Sequence, residues 1–174
     1  MVLIRRSLLL VALLMTAVAA PVYASPEKDL REYVDENTQQ LVDKLHEEKG
    51  LYEKDPQAFY RSMENELEGF VDFRRIAARV MGRYARQASP EQRDEFVERF
   101  KRSLFDSYAQ ALVSTDDFTI EVKDAVINPN DDQRASVRME VTSASGNRYP
   151  VAYSMYQTKE GRWMMENVIV EGVN

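Results

Sequence analysis

Between Val113 and Phe118 the hydrophobic period of this chain changes from about 3.6 residues to 2, and that change sets the order of its architecture. Before it, Leu30, Tyr33, Val34, Leu41, Val42 and Leu45 recur at three- and four-residue spacing, which predicts an amphipathic helix from Pro26 to Glu48 that Gly50 ends. Asp55-Pro56 reads as an N-cap with proline in the first turn, opening a second helix with Phe59, Met63 and Leu67 inward. Asp72 caps a third, with Phe73, Ile76, Ala77, Val80, Met81 and Tyr84 as its apolar face. Ser89-Pro90-Glu91-Gln92 is a capping box, and the fourth helix buries Phe96, Val97, Phe100, Leu104, Tyr108, Ala111 and Leu112. After the change, Phe118, Ile120 and Val122 mark one strand. Ala135, Val137, Met139 and Val141 mark the next, and Tyr149, Val151, Tyr153 and Met155 a third. Turns at Asn130-Asp131-Asp132, Ser145-Gly146-Asn147 and Lys159-Glu160-Gly161 join them as hairpins. Helices first and a meander after predict an α+β domain with the helices on one face of an antiparallel sheet.

The N-terminus carries Arg5 and Arg6, then an uncharged run from Leu8 to Ala20 and the small-residue site Val22-Tyr23-Ala24. This is the pattern of a secretory signal peptide over residues 1–24, its apolar run too short for the roughly 20 residues that span a bilayer. A single domain from 25 to 174 is expected to follow, outside the cytoplasm. The chain has no cysteine, so neither a disulfide nor a lipidated cysteine is available to it. Without Arg5 and Arg6, 21 basic side chains face 29 acidic ones, a net charge of −8. That balance argues against nucleic acid and against nonspecific adhesion to anionic membranes.

Catalytic chemistry is thinly supplied. His46, the one histidine, sits beside Glu47 and Glu48 on the polar end of the first helix, so histidine-dependent triads and the usual zinc sites lack ligands or bases. Asp116-Asp117 and Asp131-Asp132 fall in turns, and no glycine-rich phosphate loop is present. No catalytic residue, metal or cofactor is therefore expected. The inward face of the sheet instead offers Val, Met and Tyr, with Trp163, Met165 and Ile169 added by the last strand. Flexible Met and amphipathic Tyr suit either a plain core or a pocket for an adaptable apolar ligand.

Two segments carry a wider resemblance. One has Asp72, Phe73, Ile76, Ala77, Val80 and Gly82, followed by Ser89, Pro90, Gln92, Arg93, Phe96 and Phe100, and then Tyr108 and Ala109. The other has Gly161, Trp163, Val168, Val170, Glu171, Gly172 and Val173. In order and spacing they resemble the MlaC family, also called the toluene-tolerance auxiliary family, over essentially all of the chain after the leader. The resemblance implies an NTF2-like arrangement, helices over a curved sheet enclosing an apolar cavity. It implies a monomeric periplasmic carrier of phospholipid in a Gram-negative bacterium. Its partners would be an inner-membrane ABC transporter complex with an MCE-domain subunit and an outer-membrane lipoprotein–porin complex, in the service of outer-membrane lipid asymmetry. On that reading the acyl chains are expected against Ile76, Val80, Tyr84, Phe100, Leu104, Tyr108, Val137, Met139, Val151, Tyr153, Met155, Trp163 and Ile169. Asn167 stands where the family often has Asp, and relatives continue as helix beyond the Glu-Gly-Val segment, so a C-terminal helical part of the family is expected to be missing here. The alternative is an NTF2-like enzyme on a small hydrophobic substrate, which needs a buried acid; Glu140 and Glu166 are the strand acids that qualify.

Overall fold

The computed structural model describes residues 25–114 and 118–170, with residues 108–114 described by backbone alone. The expected leader, the Asp116-Asp117 pair and the Glu171-Gly172-Val173 segment lie outside the described residues.

Four helices precede four strands: α1 (Pro26–Lys54), α2 (Pro56–Glu68), α3 (Phe73–Met81), a 3-10 turn (Gly82–Arg86), α4 (Pro90–Ser114), β1 (Phe118–Asn128), β2 (Asp131–Ser143), β3 (Arg148–Gln157) and β4 (Trp163–Val170). Side-chain caps set the helix starts. Asp55 Oδ1 accepts from the Ala58 amide at 3.0 Å and Asp72 Oδ1 from the Arg75 amide at 2.9 Å. At Ser89 the box is reciprocal: its Oγ accepts from the Gln92 amide, and Gln92 Oε1 accepts from the Ser89 amide. One expected end is corrected. α1 continues through Gly50 to Lys54, because Leu51 and Tyr52 pack against a helical core and offset the roughly 1 kcal/mol cost of a mid-helix glycine.

The sheet is an antiparallel meander, β1-β2-β3-β4. Gly146 (φ 80°) and Gly161 (φ 84°) supply the left-handed residues of its last two hairpin turns. Opposite partners share a face, so the register aligns Val137 with Tyr153, Met139 with Val151 and Ala135 with Met155 on the inner side. Against this face α1 lays Leu30 and Val34, and the resulting core has Val34 and Val137 fully buried. The other face is polar: Arg138 pairs with Asp124, and Lys123 lies 3.4 Å from Glu140.

β4 departs from strict alternation. Ser154 pairs with Asn167 but Met155 with Met165, leaving Glu166 as an extra, bulged residue. Beyond the bulge the side chains change face. Val168 pairs with Tyr153 and packs on the inner core, whereas Ile169 pairs with Ala152. At its free edge β4 takes a short parallel partner: the Met165 amide donates to the Phe70 carbonyl and the Asp72 amide to the Met165 carbonyl, both at 2.8 Å. This bridge delivers the chain into α3 beside the sheet.

Candidate functional site

A domain of this size usually has one contiguous core. Here there are two. The first is the sheet core just described. The second joins the C-terminal half of α1 to α2 through Leu45, Phe59, Tyr60 and Met63, with Phe105 of α4 and Phe118 of β1 packed on it. Tyr60 stacks on Phe105 at 5.5 Å between ring centroids, and burial together with a hydrogen bond to Asp106 pushes its phenol up to about 12.

At the seam between the two cores lies a cavity of about 130 Å³ whose described lining residues are all apolar. Leu41, Val42 and Leu45 come from α1, Phe59, Met63 and Leu67 from α2, Phe105 from α4, and Phe118 and Ile120 from β1. The spacing explains the arrangement: 41, 42 and 45 share a helical face, as do 59, 63 and 67, and 118 and 120 point the same way along a strand. Larger hollows exist, but each is lined in part by charged side chains, such as the open one of about 580 Å³ along α4 beside Glu98, Arg99, Arg102 and Asp106. Apolar chemistry is concentrated at the seam.

The residues expected to line a pocket are placed as follows. Val137, Met139 and Met155 are buried in the sheet core, and Ile76, Val151, Tyr153 and Trp163 pack half-buried against it. Burial pushes the Tyr153 phenol up to about 12. None of the expected residues whose side chains are described lines the cavity itself. Val80 and Tyr84 are 60% and 56% exposed. α3 buries Ala77 and turns Arg75 and Arg79 to Glu166 of β4, and it gives way to the 3-10 turn at Gly82, which leaves Val80 and Tyr84 toward solvent. Ile169 is on the other face because of the bulge, and Val168 takes the inward place. On α4, Phe100 stacks on Phe96 at 6.2 Å and belongs with half-buried Leu104 to a stripe outside both cores. The cavity receives Phe105, from the neighbouring stripe that contains Val97 and Lys101. Lys101 is tolerated there because Glu98, at 2.7 Å, and Glu64 take its ammonium. The Tyr108 side chain lies outside the described residues. The cavity-lining residues Leu41, Val42, Leu45, Phe59, Met63, Leu67, Phe118 and Ile120 were all legible as inward from periodicity; what periodicity lacks is the gap they leave.

Of the two candidate acids, Glu166 is buried at 3% exposure and held by three guanidinium groups: Arg75 at 3.0 Å, Arg79 at 2.6 Å, and Arg134. Arg75 also lies over the Tyr156 ring at 3.6 Å, and the Tyr156 hydroxyl donates to Asp72 at 2.5 Å. Burial, and then that bond, raise the Tyr156 pKa. The cluster therefore clamps α3 to β4. Glu140 pairs with Lys123 and Arg148 on the polar face, so neither acid reaches the apolar cavity. Among the described residues, no three His, Cys, Asp or Glu side chains are grouped to hold a metal ion.

Helices laid over one face of an antiparallel meander, with an apolar gap between two cores, define an α+β domain whose candidate site is hydrophobic. The chain belongs to the MlaC family: the model of the MlaC protein matches residues 35–174. A relative named toluene tolerance protein ttg2D, from Pseudomonas putida, is 36% identical over 169 residues, covering 97% of this chain and 77% of the relative. Another, the intermembrane phospholipid transport system binding protein MlaC of Haemophilus influenzae, is 25% identical over 142 residues, 78% of this chain and 66% of the relative. The fold matches that of a phospholipid-binding protein from Ralstonia solanacearum solved in complex with a phospholipid, with a TM-score of 0.71, 23% identity, and coverage of 82% of this chain and 78% of the other.

Proposed function

We propose that this protein is a periplasmic phospholipid carrier whose acyl-chain site is the seam between the two cores. The observation that carries this reading is the cavity there, apolar in all its described lining residues, in a chain whose relatives include one named for intermembrane phospholipid transport. Dry apolar space costs a protein packing energy, and selection for a ligand is a reason to keep it. The cavity is smaller than the roughly 300–1,000 Å³ of pockets for drug-sized ligands. Lipid entry therefore requires the seam to widen, with the wall extending from Leu45, Phe59, Met63 and Phe105 along the sheet toward Val151 and Tyr153.

The energetics suit exchange rather than release. Taking two acyl chains of about 15 carbons out of water at roughly 0.8 kcal/mol per CH₂ is worth on the order of 25 kcal/mol. A lipid drawn from a bilayer has already made that gain, so bilayer and pocket are nearly balanced and modest partner contacts set the direction. The acidic surface keeps the carrier off anionic membranes and leaves docking to proteins: an inner-membrane ABC transporter complex with an MCE-domain subunit on one side, an outer-membrane lipoprotein–porin complex on the other. Exchange between those complexes would maintain outer-membrane lipid asymmetry. The carrier acts as a monomer, has no catalytic residue and needs no cofactor beyond its cargo. The test is mass spectrometry of solvent extracts from the purified mature protein. Stoichiometric phospholipid is expected, and a folded protein without it would contradict the proposal.

A further inference from the structure

Thr38 is 3% exposed, and its hydroxyl oxygen has no hydrogen-bond partner. Its place on α1 gives this meaning. One turn before it is Val34, in the sheet core; one turn after it are Leu41 and Val42, in the cavity wall, followed by Leu45. Positions i, i+3, i+4 and i+7 share a helical face, so Thr38 is not itself in the cavity wall but lies on the same face of α1, about 4.5–6 Å along the axis from the wall residues Leu41 and Val42, where a widened seam would reach it. A helical threonine commonly turns its hydroxyl to the carbonyl one turn back, and this one does not. Native proteins seldom leave such a group unmet, and the described residues of the wall beside it are all apolar.

The hydroxyl is already out of water, so a ligand that brings it an acceptor gains a hydrogen bond without a further desolvation cost. Hydrocarbon tails have no acceptor. A diacyl lipid has one at the head of each tail, the ester carbonyl oxygen. We propose that Thr38 is the polar subsite of the seam, where its hydroxyl donates to an ester carbonyl of the bound lipid; this rests on the carrier reading above. The bond fixes how deeply the tails sit and favours ester-linked over ether-linked lipids of the same length.

The experiment uses the full mature protein, stripped of lipid, with two probes: diester and diether phosphatidylcholine of equal chain length. Wild type should bind the diester about three- to ten-fold more tightly, the range of one neutral hydrogen bond. Thr38→Val should abolish that preference and Thr38→Ser retain it. The lipid-free Thr38→Val protein should melt no lower than wild type, since it loses an unmet polar group of equal shape. Equal binding of the two lipids by wild type, or a preference that survives in Thr38→Val, would overturn the subsite while leaving the carrier intact. Binding of neither lipid would overturn both.

Discussion

The two cores of this molecule differ in make-up and in completeness: Val, Ala and Met dominate the sheet core, while Leu45, Phe59, Tyr60 and Met63 form the helical one. In the sheet core, Val34 and Val137 are fully buried and Met155 is 1% exposed, each meeting neighbours from α1 and from adjacent strands. In the helical core, Leu45, Phe59 and Met63 are nearly as well shielded from water, yet they border a 130 Å³ gap. Burial and packing are thus separable: the first core is made for stability, and the second gives up part of its dispersion energy to keep space.

The largest expected effect tests that contrast. Met155→Ala should cost about 3–5 kcal/mol in denaturant unfolding, because its neighbours are locked by a sheet that relaxes little. Met63→Ala should cost about 2 kcal/mol, since part of its surface already faces a gap, and should alter the amount of bound lipid, which Met155→Ala should not. Equal costs with equal lipid content would remove the distinction between the cores. A smaller effect tests the bulge that ends the sheet core: Val168→Thr should cost about 1 kcal/mol and Ile169→Thr under about 0.5 kcal/mol, the reverse of what strict alternation from Trp163 predicts.

That reversal shows where sequence reading runs out. Helix caps at Asp55, Asp72 and Ser89 and the hairpin turns are short-range devices, and each is recognisable from a few residues. The switch of period placed four helices before a meander for the same reason. The departures depend on distant groups. Glu166 bulges β4 where Arg75, Arg79 and Arg134 converge on its carboxylate, and nothing in "MMENVIV" announces those arginines. α1 crosses Gly50 because α2 offers Leu51 and Tyr52 a surface. Lys101 occupies a buried stripe through its acidic partners, which turned the α4 reading toward Phe100 and Leu104 and away from Phe105. The family was legible in ordered motifs; the cavity wall was not, because a gap between elements leaves no periodic trace.

The central claim, that acyl chains enter between the two cores, is most directly tested with a phospholipid carrying a photoreactive group midway along one tail. After loading, illumination and peptide mapping, labels are expected on the second core and its seam, at Phe59, Met63 or Phe105. Labels confined to the exposed Val80 and Tyr84 or to the Ile169 face of the sheet, with none at the seam, would contradict it.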